Sequence, residues 1–550
     1  MSTDAQQQIA ALIERLTGPG GEFETVTEEV LGAPVQLLKD RPASLIEVFD
    51  AAAAFGDKDH LVTAEERITF AEHDRRVRLL ARHLAERYGV GQGDRVAILA
   101  GNSPGWVQTF WAVQLLGAIA VGFNAWWTAE ETDYALGHCR PRLLVVDRKR
   151  LGRIGEVDVP IVSIEDDLPR LTTPGEDDPA PLPAVAIDED DPSTLLYTSG
   201  TSGRPKGAVH SHRAMVAVIG YHRFNDRLSD VFAGQTGTRS ADRRYLLTSP
   251  LFHIASLHNL VVPRLASGTT VVFAGDRFDA DEVLALIERE RITNWGAVPT
   301  LVKRLMDGAV EDYDLSSMDA FALASAPSSP EFKSLARRRL PFAATTLVDS
   351  YGLTESATAV AVATPMDLAA HPETVGRPVF GVQLRICDPL GEELGEGEEG
   401  EVCVRSAYVM LGYWEDPAAT AAAIDADRWL RTGDLGTVRD GLLYLTSRRS
   451  DLIVRGGENV YPVEVEQVLE TAPGVRESVV LGDDDEEYGQ VPVAVVVTKP
   501  GAPVTVDDLA AHLEDQLATF KHPVRWRITT EPLPRNATGK VVRREVTLPD

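Results

Sequence analysis

Residues 198–207, TSGTSGRPKG, place three glycines, four hydroxyl side chains and two fixed cations within ten positions. Successive amides of a glycine-rich turn form a nest for an anion, and hydroxyls and cations add donors to phosphate oxygens. The apolar stub STLLY just before it reads as a strand. The stretch is not the loop of the common nucleoside triphosphatases. Counting from Gly200, the second glycine they require falls on Pro205, and Lys206 is followed by Gly207 rather than by serine or threonine. Read alone, it is either a phosphate cradle of another kind or a surface loop.

Four further stretches carry groups of chemical interest. SYGLTES, residues 350–356, puts one carboxylate, Glu355, beside an aromatic ring and hydroxyls; a solvated glutamate at a strand end is the plain alternative. RTGDLG, residues 431–436, holds Asp434 at what reads as a tight turn, where it either caps the turn or accepts hydrogen bonds from a ribose diol. SRRSDLIVRGGENVYPVEVE, residues 447–466, combines three arginines with Gly456 and Gly457, which permit close backbone approach. PRNATGKVVRRE, residues 534–545, presents Lys540 after a glycine turn. A solvated basic turn and a solvated lysine are the alternatives for these last two.

The elements that must position these groups alternate. Thr69 and Glu72 form a capping box, and a helical period runs from there to Gly89. RVAILAGN, WVQTFWAVQLLG and AIAVGF then read as buried strand, helix and buried strand, with Gly117 suited to a helix C′ position. Similar units recur at RYLLTSPL, TTVVFAG, DEVLALIERERI and TNWGAVP. This is the pattern of mostly parallel sheets covered by helices, and it extends to about residue 380. From there to the 440s, short runs between glycine turns predict a β-rich part. The last hundred residues mix helices (PVEVEQVLETA, DDLAAHLEDQLATF) with strands (ESVVLGD, VPVAVVVTK), as a small α+β domain would. The acidic, proline-rich 174–193 reads as a surface connector.

Composition sets limits. At 550 residues, two or more domains are expected. With 83 acidic against 54 basic side chains, the net charge of −29 opposes nucleic acid and anionic membrane surfaces. Any nucleotide site must therefore build its positive potential locally. Cys139, Cys387 and Cys403 show no paired spacing, which argues against a disulfide framework and suits a reducing cytoplasm. No basic leader precedes an apolar run, so no signal peptide is expected. The apolar window 106–127 is interrupted by Gln108, Gln114 and Asn124 and reads as helix plus strand rather than a transmembrane span. His210, His212, His253 and His258 lack carboxylate or thiol companions at metal-ligand spacing. Trp126 and Trp127 read as core.

In order and spacing, the five motifs together resemble the adenylate-forming superfamily: acyl-CoA synthetases, peptide-synthetase adenylation domains and firefly-type luciferases. The resemblance covers about residues 45–545 and is strongest to bacterial fatty-acid or aryl-acid CoA ligases. It implies a large N-terminal domain, residues 1–447, of layered, largely parallel α/β subdomains plus a β-rich subdomain. A small mobile α+β domain, residues 448–550, follows. It also implies that Thr198, Ser199, Gly200, Thr201, Ser202, Gly203 and Lys206 hold the ATP phosphates. Ala324, Ser325, Ser350, Tyr351, Gly352, Asp434 and Arg448 would form the adenine and ribose site, with Tyr351 stacking on the base. Thr354 would contact the α-phosphate, Glu355 and Thr201 would serve Mg2+, and Lys540 would neutralise charge during adenylation. Ser450 stands at the hinge, Gly456 and Gly457 would line the thiol tunnel, and His253, in SPLFHIASL, would gate the acyl site.

The implied reaction activates a carboxylic acid as acyl-AMP with ATP and Mg2+, releases pyrophosphate, and passes the acyl group to CoA. A stand-alone adenylation enzyme loading a carrier-protein pantetheine shares the first step; an inactive scaffold and luciferase-like oxidation are further readings. Two departures are specific. The hinge usually carries aspartate or lysine where Ser450 stands. Ala324-Ser325-Ala326-Pro327 replaces the usual glycine-glycine-alanine-proline and adds bulk near the adenine and acyl pockets. Residues 221–226, His253, Ala324 and Leu353 are expected acyl-pocket walls. Homo-oligomers are compatible with the sequence, which carries no signal for or against them.

Overall fold

The computed structural model describes residues 11–175, 180–182, 184–198, 204–232, 242–275, 277–326, 328–448, 451–455, 458–485, 488–514, 516–536 and 539–548, apart from the side chains of Phe232 and Arg448. Two large sheets dominate. In the first, five parallel strands run in the order Pro192–Thr198, Ile119–Gly122, Arg95–Leu99, Leu143–Val146, Ile161–Ser163. Lys206–Ser211 and Gly412–Tyr413 add antiparallel strands at the Pro192–Thr198 edge. The second has a parallel centre, Leu347–Gly352, Ala320–Leu323, Asn294–Ala297, Arg244–Leu247, Thr270–Phe273, Asp59–Val62, with antiparallel strands at both edges.

Helices Leu45–Ala52, Phe70–Tyr88 and Pro104–Leu115 fill the space between the sheets. Helix Phe70–Tyr88 begins where Thr69 accepts from the Glu72 amide and ends at Gly89, φ 64°, as its capping signals predict. Helix Pro104–Leu115 is apolar on all sides because it is buried on all sides. Its Trp106, Phe110 and Trp111 are wholly enclosed, and Gly117 turns the chain at φ 62° into strand Ile119–Gly122. The 106–127 window is thus interior helix plus strand, and no helix among the described residues is long and apolar enough to cross a membrane. The cysteines are free and buried.

Beyond residue 380 the texture changes as expected. Gln383–Cys387, Gly400–Arg405, Leu430–Arg439 and Leu442–Arg448 form a four-stranded antiparallel sheet. The C-terminal part has its own five-stranded sheet and core, closed by helices Pro462–Thr471 and Val506–Glu514. The second of these helices is shorter than its sequence period suggests: Thr519–Lys521 is a separate 3-10 turn. A hairpin of Thr25–Val30 and Ala33–Leu38, not anticipated, packs near the N-terminus. The two tryptophans diverge. Trp127 is core, whereas Trp126 is 50% exposed, its ring edge-on to Phe252.

Candidate active site

In parallel α/β sheets the carboxyl ends of the strands gather at one edge, where loops leave the sheet and ligands bind. Here the parallel strands Asn294–Ala297, Ala320–Leu323 and Leu347–Gly352 end together, leading into Thr300, Ala324-Ser325 and Gly352-Leu353-Thr354. The Ala324 amide donates to Ala297 O at 3.2 Å, and Ser350 Oγ donates to Leu323 O at 3.1 Å. These bonds lock the three loop starts to one another. Ser325 is exposed with φ 68°, a left-handed conformation that glycine adopts freely and that costs a serine roughly 1 kcal/mol. Ser325 carries that strain where the pattern implied by the resemblance has glycine.

Tyr351 Oη donates to Asp434 Oδ2 at 2.6 Å, joining the SYGLTES and RTGDLG motifs across 83 positions. Asp434 does not sit at a tight turn. It lies inside strand Leu430–Arg439, 5% exposed, paired in register with Arg448, while the preceding Gly433 at φ 73° bends the strand. The glycine that suggested a turn bends a continuing ladder. The next residue, Gly352, lies against the Thr358–Ala359 backbone, which leaves no space for a side chain. A Cβ there would stand 2.6 Å from Thr358 O and 2.9 Å from Ala359 Cα.

Thr354–Ser356 forms a 3-10 turn that carries Glu355. Its carboxylate accepts from Tyr413 Oη at 2.7 Å, and Lys206 Nζ lies 5.0 Å from the centre of the Tyr413 ring. Tyr413, absent from the sequence-derived set, therefore links Lys206 of the glycine-rich stretch to the Glu355 carboxylate. The segment 410–414 is fixed by three main-chain bonds: Met410 N to Glu355 O (2.9 Å), Leu411 N to Val209 O (2.7 Å) and Trp414 N to Gly207 O (2.8 Å). Burial, then the neighbouring carboxylate, holds the Tyr413 hydroxyl well above its ordinary pKa, so it remains a donor. The part-exposed Glu355 carboxylate is a hard oxygen ligand, a fit for Mg2+. Lys206 opens strand Lys206–Ser211, opposite Thr198. Ser199, Gly200, Thr201, Ser202 and Gly203 lie outside the described residues.

Lys540 is presented by a tight loop in which the Gly539 amide donates to Asn536 O (2.9 Å) and the Asn536 amide to Lys540 O (2.9 Å). Gly539 takes φ 80°. Its carbonyl accepts from Arg535 Nη1 at 2.6 Å and, at 3.4 Å, from Thr300 Oγ1 of the N-terminal part. The lysine loop thus docks beside the same strand ends as Ala324-Ser325 and Gly352. Ser450, Gly456, Gly457 and the Arg448 side chain fall outside the described residues.

His253 follows Phe252 at the start of a turn whose Leu257 amide returns to His253 O at 3.0 Å. Burial lowers its pKa to about 4, leaving a neutral ring at physiological pH. His210, His212 and His258 are structural. His212 Nδ1 accepts from the Leu45 amide at 3.2 Å, and His210 and His258 meet edge to face with centroids 5.0 Å apart. Among the described residues no group of three or more histidine, cysteine or acidic side chains could hold a metal by itself. Of the expected acyl walls, Tyr221 packs into a buried cluster with Tyr408, and Asp226 is committed to ion pairs with Arg243 (2.5 Å) and Arg264 (2.9 Å).

Residues 48–414 match the AMP-binding enzyme family, and residues 464–540 match the AMP-binding enzyme C-terminal domain. The chain is 33% identical over 519 residues to 3-[(3aS,4S,7aS)-7a-methyl-1,5-dioxo-octahydro-1H-inden-4-yl]propanoyl:CoA ligase of Rhodococcus jostii (strain RHA1), covering 90% of this chain and 96% of that protein. It is 34% identical over 490 residues to a feruloyl-CoA synthase of Amycolatopsis sp, covering 87% and 93%. It is also similar to the solved o-succinylbenzoate CoA synthetase of Bacillus subtilis. With the acyl-adenylate intermediate that enzyme gives a TM-score of 0.78 at 29% identity, covering 92% of this chain and 99% of that one. With ATP and magnesium ion the TM-score is 0.77 at 30% identity, covering 90% and 98%. The chain belongs to the AMP-binding enzymes of the adenylate-forming superfamily, with both the large domain and the C-terminal domain of that family on one polypeptide.

Proposed function

We propose that this protein is an ATP-dependent acyl-CoA ligase for a ring-bearing carboxylic acid. The observation that carries the reading is the convergence, around the strand end at Gly352, of the Tyr351–Asp434 pair, the Glu355–Tyr413–Lys206 chain and the Lys540 loop, contributed by separate sheets. A ring-bearing acid is supported by the relatives, whose names specify an indenyl propanoate, ferulate and o-succinylbenzoate.

In the first half-reaction a carboxylate oxygen attacks the α-phosphorus of ATP, the bond to the β-phosphate breaks, and pyrophosphate leaves with its electron pair. Such a step needs positioning and positive charge at the equatorial oxygens more than it needs a base. Lys206 and the loop at Thr198–Gly203 would hold the departing phosphates, and Thr354 and Lys540 would face the α-phosphate. Asp434, with Arg448, would accept the ribose hydroxyls while Tyr351 lies against adenine. Glu355 with Thr201 would hold Mg2+, which would supply charge neutralisation at the phosphates. In the second half-reaction the CoA sulfur attacks the acyl carbonyl, AMP leaves, and the thiol proton passes to solvent. The C-terminal domain, taken from residue 448, would turn about Ser450 to replace Lys540 by the Gly456-Gly457 tunnel beside His253. Three free, buried cysteines suit a reducing cytoplasm.

Separated half-reactions test the assignment. Lys540→Ala is expected to slow acid-dependent pyrophosphate release by about 100-fold or more and to leave thioester formation from supplied acyl-adenylate near wild type. Equal loss in both halves defeats the two-conformation assignment. Loading of a carrier-protein pantetheine with free CoA ignored would move the acceptor from CoA to a carrier.

A further inference from the structure

Beyond His253, on the acyl side of the proposed site, lies a polar cluster that neither the motifs nor the reaction uses. Asn259 lies in a π-turn, Leu257–Val261, that begins four residues after His253; such turns break helix regularity and recur at functional sites. Its Nδ2 donates to two carbonyls, Ile254 O at 3.0 Å and Ala357 O at 3.3 Å. Its Oδ1 accepts from Thr358 Oγ1 and faces His222 Nε2 at 3.2 Å. Flipping the amide would point its oxygen at two carbonyls, so the orientation is determined. His222 must then carry its proton on Nε2 and donate it to Asn259. The remaining ring nitrogen, Nδ1, is a bare acceptor with no donor to it among the described residues.

These groups border a crevice. In strands Arg244–Leu247, Asn294–Ala297, Ala320–Leu323 and Leu347–Gly352, the side chains of Trp295, Phe321, Leu323 and Leu347 fill one core. The opposite face, by the alternation of strands, carries Tyr245, Gly296, Ala322 and Ser350. Gly296 is exposed although its strand is central, and Ala322 and Ser350 are part-exposed. Helix His212–Phe232 crosses this face at Tyr245, held there by Arg264, which donates to both Asp226 (2.9 Å) and Tyr245 Oη (2.7 Å). The near end of the crevice is Gly352, which touches Thr358 of the polar cluster. His222 and Asn259 are themselves part-exposed.

Resting on the ligase reading above, we infer that His222 is a specificity-determining residue of the acyl crevice, and that the preferred acid carries a hydroxyl on its ring system. The hydroxyl donates to His222 Nδ1. A ketone or a methoxy group has no proton to give and would set two acceptors against each other. Burial, reinforced by Arg264, lowers the His222 pKa to about 3, so the ring stays neutral and keeps its acceptor across the physiological range. The flat floor at Gly296 and Ala322 leaves room for a ring.

The experiment uses the full-length enzyme with matched acids: hydroxylated, unsubstituted and methoxylated benzoates, phenylacetates, cinnamates and fused-ring propanoates. Acid-dependent pyrophosphate release gives kcat/KM for each. In at least one set the hydroxy acid is expected to exceed both partners by about tenfold, the effect of one well-made hydrogen bond. In His222→Phe the hydroxy-to-unsubstituted ratio is expected to fall to about one; a ratio within a single variant is insensitive to how much of it is folded. If that variant cannot be prepared, the wild-type series decides alone. Turnover with equal or better use of the unsubstituted or methoxy acid in every set overturns the inference and leaves the ligase reading standing, as does an unchanged ratio in His222→Phe. Pyrophosphate release with no acid in any set overturns the ring-acid reading and the inference with it.

Discussion

Tyr413→Phe removes one oxygen from the chain that runs from Lys206 to Glu355. In the native arrangement the hydroxyl donates to a carboxylate at 2.7 Å while the ring lies 5.0 Å from the lysine ammonium. A hydrogen bond to a charged group contributes about 1.5–3 kcal/mol. Glu355 is part-exposed, so water replaces part of the lost donor, and the lower end of that range applies. About 1.5 kcal/mol corresponds to roughly a tenfold fall in kcat/KM for ATP. Phenylalanine keeps the ring under Lys206. Tyr413→Leu loses the cation–π contact as well, about 0.5–1 kcal/mol, and is expected to fall a further two- to fivefold. The assay is initial-rate pyrophosphate release with ATP varied at several Mg2+ concentrations, and the two variants should need more of both. The main-chain pairing of Tyr413 with Ala208 does not involve the side chain, so the fold is expected to survive. A Tyr413→Phe enzyme within twofold of wild type at all Mg2+ concentrations would refute the idea that this residue couples the loop to the carboxylate.

Gly352→Ala drives a methyl group to 2.6 Å from Thr358 O; a lowered melting temperature, equivalent to about 1–3 kcal/mol, and weaker use of ATP are expected, and an unperturbed enzyme would mean the strand is more yielding than its contacts indicate. Lys333 is buried and pairs with Asp349 at 2.7 Å. Lys333→Met leaves that carboxylate without its countercharge, with the Ser328 hydroxyl still donating to it at 2.9 Å, and should cost about 3–5 kcal/mol in denaturant unfolding, with most of it restored in Lys333→Met/Asp349→Leu; equal losses in single and double variants would contradict the pairing. Burial lowers the pKa of His60 to about 3 and of His210 to about 4, so the folded protein binds these protons less readily than the unfolded chain does. Their contribution is complete above the ordinary histidine pKa near 6.5. It is lost as pH falls below that, at up to about 1.4 kcal/mol per pH unit for each histidine. Unfolding free energies at pH 7.5 and 5.5 measure it, and a flat profile would show that the rings protonate without opening the core.

Much of this organisation was legible because it is local. Caps at Thr69 and Gly89, the glycine at 117, and the alternation of apolar runs each act within a few residues, and each specifies an element that forms. The motif segments could likewise be named from their own residues. What was not legible depends on register between distant strands. Tyr413 reaches Glu355 because Gly412–Tyr413 adds to the edge of strand Lys206–Ser211, a pairing across some 200 positions with no local signal. Asp434 looked like a turn residue because Gly433 precedes it, yet ladder bonds to both neighbouring strands carry the chain through. Trp126 and Trp127 are alike in sequence and differ only in which way the loop after Gly122 directs them. The His222–Asn259–Thr358 cluster joins three segments by side-chain bonds alone, and a π-turn is not a pattern that periodicity reveals.

The central claim is that one chain couples two reactions, adenylation of an acid and transfer of its acyl group to CoA. The decisive measurement is the stoichiometry of a single incubation with ATP, Mg2+, CoA and a ring-acid panel, scoring AMP, pyrophosphate and free thiol together. The expected result is AMP and pyrophosphate formed, and thiol consumed, in equal amounts, only when acid is present. ADP and inorganic phosphate as products, or AMP and pyrophosphate formed with the thiol untouched, would contradict it.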